Sequence, residues 1–249
     1  MKNRLYLFLF LFASLFFRES AFANFMVTPG SATLDTTGKN TTQNFIVENL
    51  SKKELVVEVS LMERMQDNDK DGGVKVKDYS KLFKIYPKII KVYPNKKKAI
   101  LVKWIGPKDF DEEKAYFLKV SEKQIKKEKK LSTNRTEIAL LIEYYLNLFV
   151  SPKSKKEKIE LESSKYLEKE KAFKITLKNS GNVHYVSRGD NLILSKKDNN
   201  GNTQSKTEFS RKELMGYYGK VILPGKKRDI LLLAPKNFEG NDVVIKLSE

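Results

Sequence analysis

The sequence predicts an all-β protein built from two β-sandwich domains. Short runs rich in Val, Ile, Tyr and Phe recur along nearly its whole length. Gly, Pro and Asn turn signals divide them at the spacing of sandwich strands. One charged stretch without an apolar residue, KSKKEK at 153–158, splits the runs into two sets and reads as a linker.

In chain order the first set is NFIVENL (44–50), LVVEVSLM (55–62), FKIYPKIIKVYP (83–94), AILVKWIG (99–106), KAYFLKVSE (114–122) and IALLIEYYLNLFV (138–150). Thr37-Gly38-Lys39-Asn40, Asp71-Gly72-Gly73, Pro94-Asn95 and Gly106-Pro107 supply the turns. Pro87 and Pro94 cannot donate to a ladder, so they belong at strand ends or edges. The second set is AFKITLKN (172–179), NVHYVSR (182–188), NLILSKK (191–197), GKVILP (219–224), RDILLLAP (228–235) and VVIKL (243–247). SRKELMGYYG (210–219) reads as one helical turn or a loop. The expected domains are 24–152 and 153–249, with no internal repeat of fixed period.

The opening residues give an address. Lys2 and Arg4 precede an apolar run from Leu5 to Phe17, and a polar segment ends in Ala21-Phe22-Ala23. This is the pattern of a secretory signal, expected to be cleaved after Ala23. The apolar run is shorter than the roughly 20 residues of a membrane span, so the mature chain is expected to be soluble rather than membrane-embedded. The chain has 48 Lys and Arg against 31 Asp and Glu, a formal charge of +17. Loss of residues 1–23 leaves about +15. The lysines are scattered in small clusters instead of forming one arginine-rich, aromatic-interleaved patch, so they read as a solvated surface and no nucleic-acid partner is expected.

Cysteine is absent. That excludes disulfides, thiol catalysis, zinc-thiolate sites and iron–sulfur clusters. His184 is the only histidine, so any Ser-His-Asp triad must be built around it. A lone histidine in a strand-like segment reads as structural. Asp111, Glu112 and Glu113 sit among lysines and read as a solvated turn. With no phosphate loop either, the chain is expected not to be an enzyme and to use no cofactor.

Two stretches leave alternatives open. In DNDKDGGVKVKD (67–78), Asp67, Asp69, Asp71 and Asp78 fall at positions resembling a calcium loop, with Gly72 at the sharp turn. Lys75 in a ligand position and strand-like flanks favour an acidic hairpin turn. In TEIALLIEYYLNLFVSP (136–152), Ile138, Leu140, Ile142, Tyr144, Leu146 and Leu148 share one parity, and Leu141, Tyr145, Asn147 and Phe149 share the other. Such a strand either lies buried on both faces in its own sandwich or offers one face to something else.

Taken in order, NFMVTP (24–29), TTGKNTTQNFIVEN (36–49), FKIYPKIIKVYPNKKKAILVKWIG (83–106), EEKAYFLKVSEKQI (112–125) and TEIALLIEYYLNLFVSP resemble the periplasmic pilus chaperones of the chaperone–usher pathway. Residues 179–186 and the Pro224-Gly225 turn extend the likeness more weakly. The resemblance implies two immunoglobulin-like domains set at an angle, and a chaperone that lends a strand to incomplete pilus subunits before passing them to an outer-membrane usher. It implies that Ile138, Leu140, Ile142 and Tyr144 enter the subunit while Leu141, Tyr145 and Phe149 pack at home. Family members anchor the subunit carboxylate with a first-strand arginine and a donor-strand lysine. Here VTPGSATL (27–34) has no basic residue and Asn147 stands at the lysine position, so Asn147 and Lys103 are the candidate anchors. The long lysine-rich loop 124–135 suits the archaic or alternative branch. Self-association of the free protein through its apolar edge is a further expectation. A secreted β-sandwich adhesin or calcium-binding module is the competing reading, and a hydrolase centred on His184 the third.

Overall fold

The computed structural model describes residues 24–67, 70–123, 141–188, 192–198 and 200–247. Ten strands come first: β1 (Phe25–Thr28), β2 (Ser31–Asp35), β3 (Thr42–Asn49), β4 (Leu55–Asp67), β5 (Lys70–Lys75), β6 (Phe83–Tyr86), β7 (Ile89–Val92), β8 (Lys97–Trp104), β9 (Lys114–Glu122) and β10 (Glu143–Ser151). They form two sheets, β1-β3-β8-β6 and β2-β10-β9-β4-β5, with β7 also paired to β4. Eight more follow: β11 (Ile159–Leu167), β12 (Ala172–Asn179), β13 (Tyr185–Val186), β14 (Leu192–Lys197), β15 (Thr203–Glu208), β16 (Val221–Ile222), β17 (Lys227–Leu233) and β18 (Val243–Leu247). These make the sheets β11-β12-β17, β13-β16 and β15-β14-β18. Among the described residues there is no α-helix, and Lys39–Thr41 makes a single 3-10 turn. This is the two-domain β-sandwich expected.

Alternation builds each core. Leu55, Val57, Val59 and Leu61 of β4, Ile100, Val102 and Trp104 of β8, and Tyr116, Leu118 and Val120 of β9 all turn inward. Their neighbours along each strand stay outside. A second core gathers Phe173, Ile175 and Leu177 of β12 with Leu192, Leu194, Tyr217, Ile230 and Leu232. No residue of the first core lies beyond Val150, and none of the second before Ile159.

The two domains close the same way. Asn49 ends β3; its side-chain amide donates from Nδ2 to the carbonyls of Lys53 and Val92 and accepts at Oδ1 from Ser51 N–H. Asn179 ends β12 and donates to the carbonyls of Val183 and Ile222, while accepting from Gly181 N–H. Both asparagines are buried. Each fixes the turn after its strand to the far side of its sandwich, and each satisfies carbonyls that would otherwise be stranded.

Several elements differ from the sequence reading. FKIYPKIIKVYP is two strands, not one: Pro87 ends β6, and β7 joins the opposite sheet. Pro29 and Gly30 divide the first strand similarly, so β1 pairs β3 while β2 runs parallel to β10. β11 and β15 were not expected, because their sequences IELESSKYL and TQSKTE lie mostly at the surface and lack an apolar stripe. The segment 210–219 is a run of turns that buries Leu214 and Tyr217.

Asn49→Ala is expected to leave two carbonyls without their donor and to cost about 1–3 kcal/mol of stability. Urea denaturation measures it; an unchanged midpoint would mean that the asparagine is not a pin.

Candidate functional site

The site is built around β10. On one side, residues 143–150 pair with β9, from Glu143 opposite Ser121 to Val150 opposite Lys114. On the other side, pairing with β2 begins only at Asn147, opposite Ser31, where Asn147 N–H also meets the Gly30 carbonyl at 3.1 Å. Along residues 143–146 no strand among the described residues occupies that edge. The backbone there is open to pairing.

The side chains divide along the strand as well as across it. Leu146, Leu148 and Val150 are buried in the first core, and Ile142 and Tyr144 pack partly against it. The Tyr144 ring meets Phe25 edge-on at 5.0 Å, and its hydroxyl donates to the Phe25 carbonyl at 2.6 Å. On the opposite parity Leu141 and Tyr145 are 51% and 45% exposed. The expectation that Leu141 and Tyr145 pack at home is therefore corrected. Even-numbered side chains close the home sandwich, because β10 is itself a wall of that sandwich and its inward parity is fixed by Leu146 and Leu148. Phe149 is buried, but against Val221 and Leu223 of the second domain. Ile138, Leu140 and the loop 124–135 lie outside the described residues.

Tyr145 is held firmly at the surface. Phe117 lies edge-on to its ring, the Lys119 ammonium sits over it at 5.6 Å, and its hydroxyl donates to Glu143 at 2.8 Å. Lys119 pairs with Glu143 at 2.6 Å. That hydrogen bond, reinforced by the Tyr145 hydroxyl, holds the Glu143 carboxyl below the usual glutamate value, and Lys119 is raised in return.

The anchor candidates part company. Lys103 is exposed on the outer face of β8, level with Thr42 and Lys84, in the opposite sheet. Asn147 is on the outer face of β10. The sandwich stands between them, so they do not form one site. Asn147 instead meets a residue that the sequence reading missed. Arg64 of β4 donates from Nη1 to Asn147 Oδ1 at 2.7 Å, and its guanidinium lies over the Phe117 ring at 5.0 Å. It is only 7% exposed. Alternation along β4, whose inward parity is set by Leu55, Val57, Val59 and Leu61, puts Arg64 and Gln66 together on the outer face at the end of the strand. The available signal was compositional: Arg64 is the only arginine between residues 24 and 123, in a chain that otherwise uses lysine. Arginine is the choice for planar recognition of carboxylates. A cleft of about 230 Å³ opens alongside, lined by Arg64, Gln66, Lys114, Ala115, Leu223 and Lys226 among others.

Below this site the domains meet at a polar seam. Gln66 donates to the Lys227 carbonyl at 3.1 Å and accepts from Leu223 N–H at 2.8 Å. Glu113 accepts from Ser151 Oγ at 2.7 Å and from His184 N–H at 2.9 Å, and meets His184 Nδ1 at 2.6 Å. The His184 ring stacks on Phe149 at 3.7 Å. Glu113 was expected in a solvated turn; its side chain is 0% exposed, because the second domain covers it. Ser151 bonds the carboxylate, not the imidazole, so this is not a nucleophile–base–acid series. The acidic stretch 67–78 is the β4–β5 hairpin, with Asp67 opposite Lys70 and Asp71 opposite Gln66. Asp78 accepts from the Ser80 amide and hydroxyl. Asp69 lies outside the described residues. The hairpin gives Asp67 and Asp71 backbone positions on its two strands, and no three acidic or histidine side chains cluster for a metal among the described residues.

Residues 26–156, more than half of the sequence, match the family model of the pili and flagellar-assembly chaperone, PapD N-terminal domain. The chain belongs to this chaperone family. No curated protein matches it. Solved structures share the fold. A chain from a chaperone–tip adhesin complex of CFA/I fimbriae biogenesis has a TM-score of 0.53 and 19% identity, covering 91% of this chaperone and 99% of that chain. The class 5 fimbriae chaperone CfaA has a TM-score of 0.53 and 17% identity over the same shares. The CsuC–CsuE chaperone–tip subunit pre-assembly complex of Acinetobacter baumannii archaic Csu pili gives 0.52 and 13%, covering 83% of this chaperone and 89% of that chain. Among the described residues no helix is long and apolar enough to cross a membrane.

Glu143 is expected to titrate below an ordinary glutamate in an NMR pH series, and Lys119→Ala to move it back up. Because the folded-state value is depressed, any stability from this tether is present above the ordinary carboxylate range and lost as pH falls through the lowered value. A titration unchanged in the variant would remove Lys119 as the cause.

Proposed function

We propose that this protein is a periplasmic chaperone that holds incomplete pilus subunits by lending them β10 and its upstream extension, then delivers them to an outer-membrane usher. Residues 1–23 are the cleaved export signal, 24–152 the donor-strand domain and 153–249 the second domain. The single observation that carries the reading is the half-paired strand: residues 143–146 are bonded through β9 on one edge and open on the other. A guest lacking a strand pairs there by β-augmentation, with alternate side chains entering its groove. Ile138 and Leu140 share the inward parity in the sequence and are assigned to the guest, with Ile142, which packs partly against the home core, next to them. Each fully buried isoleucine or leucine contributes about 1.5–3 kcal/mol before ordering costs. Tyr144 sits at the handover, already seated against Phe25.

Arg64 with Asn147 is the proposed carboxylate anchor, in place of Lys103. The Asn147 amide oxygen stands where a carboxylate oxygen of the guest terminus would, and the guanidinium brings the charge that Asn147 lacks. The anchor lies where the open edge ends, so the guest strand runs parallel to β10. The long lysine-rich stretch 124–135 supports the archaic or alternative branch. Without a guest, the open edge is available to a second copy.

Purified from its own cells, the protein is expected to carry small subunits in one-to-one complexes. Leu140→Asp is expected to fold normally and lose them; subunits that stay soluble and bound would overturn the donor assignment. Arg64→Met is expected to weaken subunit binding by about tenfold or more, the worth of a charge-assisted hydrogen bond. Unaltered affinity in a folded variant would exclude Arg64.

A further inference from the structure

Both members of the proposed anchor stand two residues from a side chain that grips the second domain. On β4, Arg64 is followed on the same face by Gln66, bonded to Leu223 N–H and the Lys227 carbonyl. On β10, Asn147 is followed on the same face by Phe149, stacked on His184. Between them on β9, Phe117 supports the Arg64 guanidinium and Ala115 packs into the small cluster of Phe149, Val221 and Leu223. By strand register Asn147, Phe117 and Met62 lie level. Arg64, one step further along β4, reaches back over Phe117 to Asn147, while its neighbours Phe149, Ala115 and Gln66 are seated on the second domain. That seating is built tightly. Gln66 uses both ends of its amide across the seam, and the fully buried Glu113 holds both His184 from the second domain and Ser151 at the end of β10.

We propose that the second domain positions the carboxylate anchor through this seam, with Gln66 and His184 as positioning residues that touch no guest. This rests on the reading of Arg64 and Asn147 given above. The physical basis is short-range. Beyond Glu63 β4 loses its β9 partner and is paired only with β5, across a register step whose extra residue lies on β5, so one ladder alone holds the strand there. The Gln66 bonds to backbone groups of the second domain supply a second hold. On β10, the Phe149–His184 stack does the same for the strand carrying Asn147. A bidentate hydrogen-bond site loses most of its advantage when its donor moves by a fraction of an ångström. A domain that seats both strands at once therefore sets the fit of the guanidinium to a planar carboxylate. Binding of the guest terminus and closure of the seam are then coupled, each favouring the other.

The test separates the inference from the reading beneath it. The probes are a short synthetic peptide of alternating valine and serine ending in a free carboxylate, and the same peptide as its C-terminal amide. Affinity is measured by calorimetry on the full mature chain. The wild type is expected to prefer the acid. If it binds both alike, or neither, the strand-and-carboxylate reading falls. Gln66→Ala is expected to reduce the preference for the acid by about tenfold while leaving amide binding unchanged, since the amide needs the edge but not the aligned guanidinium. His184→Ala, which removes both the ring stacked on Phe149 and the Nδ1 contact to Glu113, is expected to shift it the same way. It also serves if Gln66→Ala proves unfolded by circular dichroism. If either folded variant keeps the full acid preference, or loses acid and amide binding equally, the positioning role is wrong.

Discussion

A β-strand has two hydrogen-bonding edges, and among the described residues β10 finds a partner for only one of them along residues 143–146. The constraint behind this is local. Pro29 and Gly30 break the first strand, and β2 joins β10 only from Ser31 and Asn147 onward. Before that point β1 belongs to the other sheet, where it pairs β3. A continuous first strand in one sheet would have sealed β10 along its length. Splitting the strand between sheets leaves the beginning of β10 bare on one side while its end is locked on both.

This asymmetry orders the rest of the site. Where β10 is doubly paired, its inward side chains belong to the home core and its outward ones face the second domain. Where it is singly paired, Leu146 is still buried but Tyr144 is only partly covered, and the outward Tyr145, like Leu141 just before the strand, lies at the surface. The change from one regime to the other falls at Asn147, and there the structure sets its one arginine on β4. An exposed edge of this kind invites indiscriminate pairing. In the proposed role of Arg64, a charged group at its end would favour partners whose chain terminates at that point.

The second domain is more than ballast. Like the first it is a β-sandwich, and a buried asparagine ends β12 as one ends β3, although no sequence repeat announces the likeness. Its contribution to the first domain is concentrated in Gln66, Glu113, Phe149 and His184, a seam of mixed polar and aromatic contacts. Glu113 and the lone histidine show how such a seam removes residues from the solvated surface to which composition alone assigns them.

Alternation fixed most of the fold in advance. The runs in Val, Ile and Phe mark β3, β4, β8, β9, β12, β14, β17 and β18 because those strands each have one buried face, and burial leaves a period of two in the residue types. β11 and β15 left no such mark, since strands at the surface are held by backbone bonds that any residue makes. The apolar character of β10 was legible; which parity faces home was not, because apolar residues lie on both. That was decided by Leu146 and Leu148 entering a core assembled from strands distant in sequence. Arg64 was visible as a compositional oddity, but its meeting with Asn147 depends on β9 lying between β4 and β10. Sequence determines which faces of each strand avoid water, because hydropathy is a property of single residues. Only the tertiary structure decides which strands stand side by side, because pairing is a property of backbones that all residues share, and the anchor and the seam exist only once that order is set.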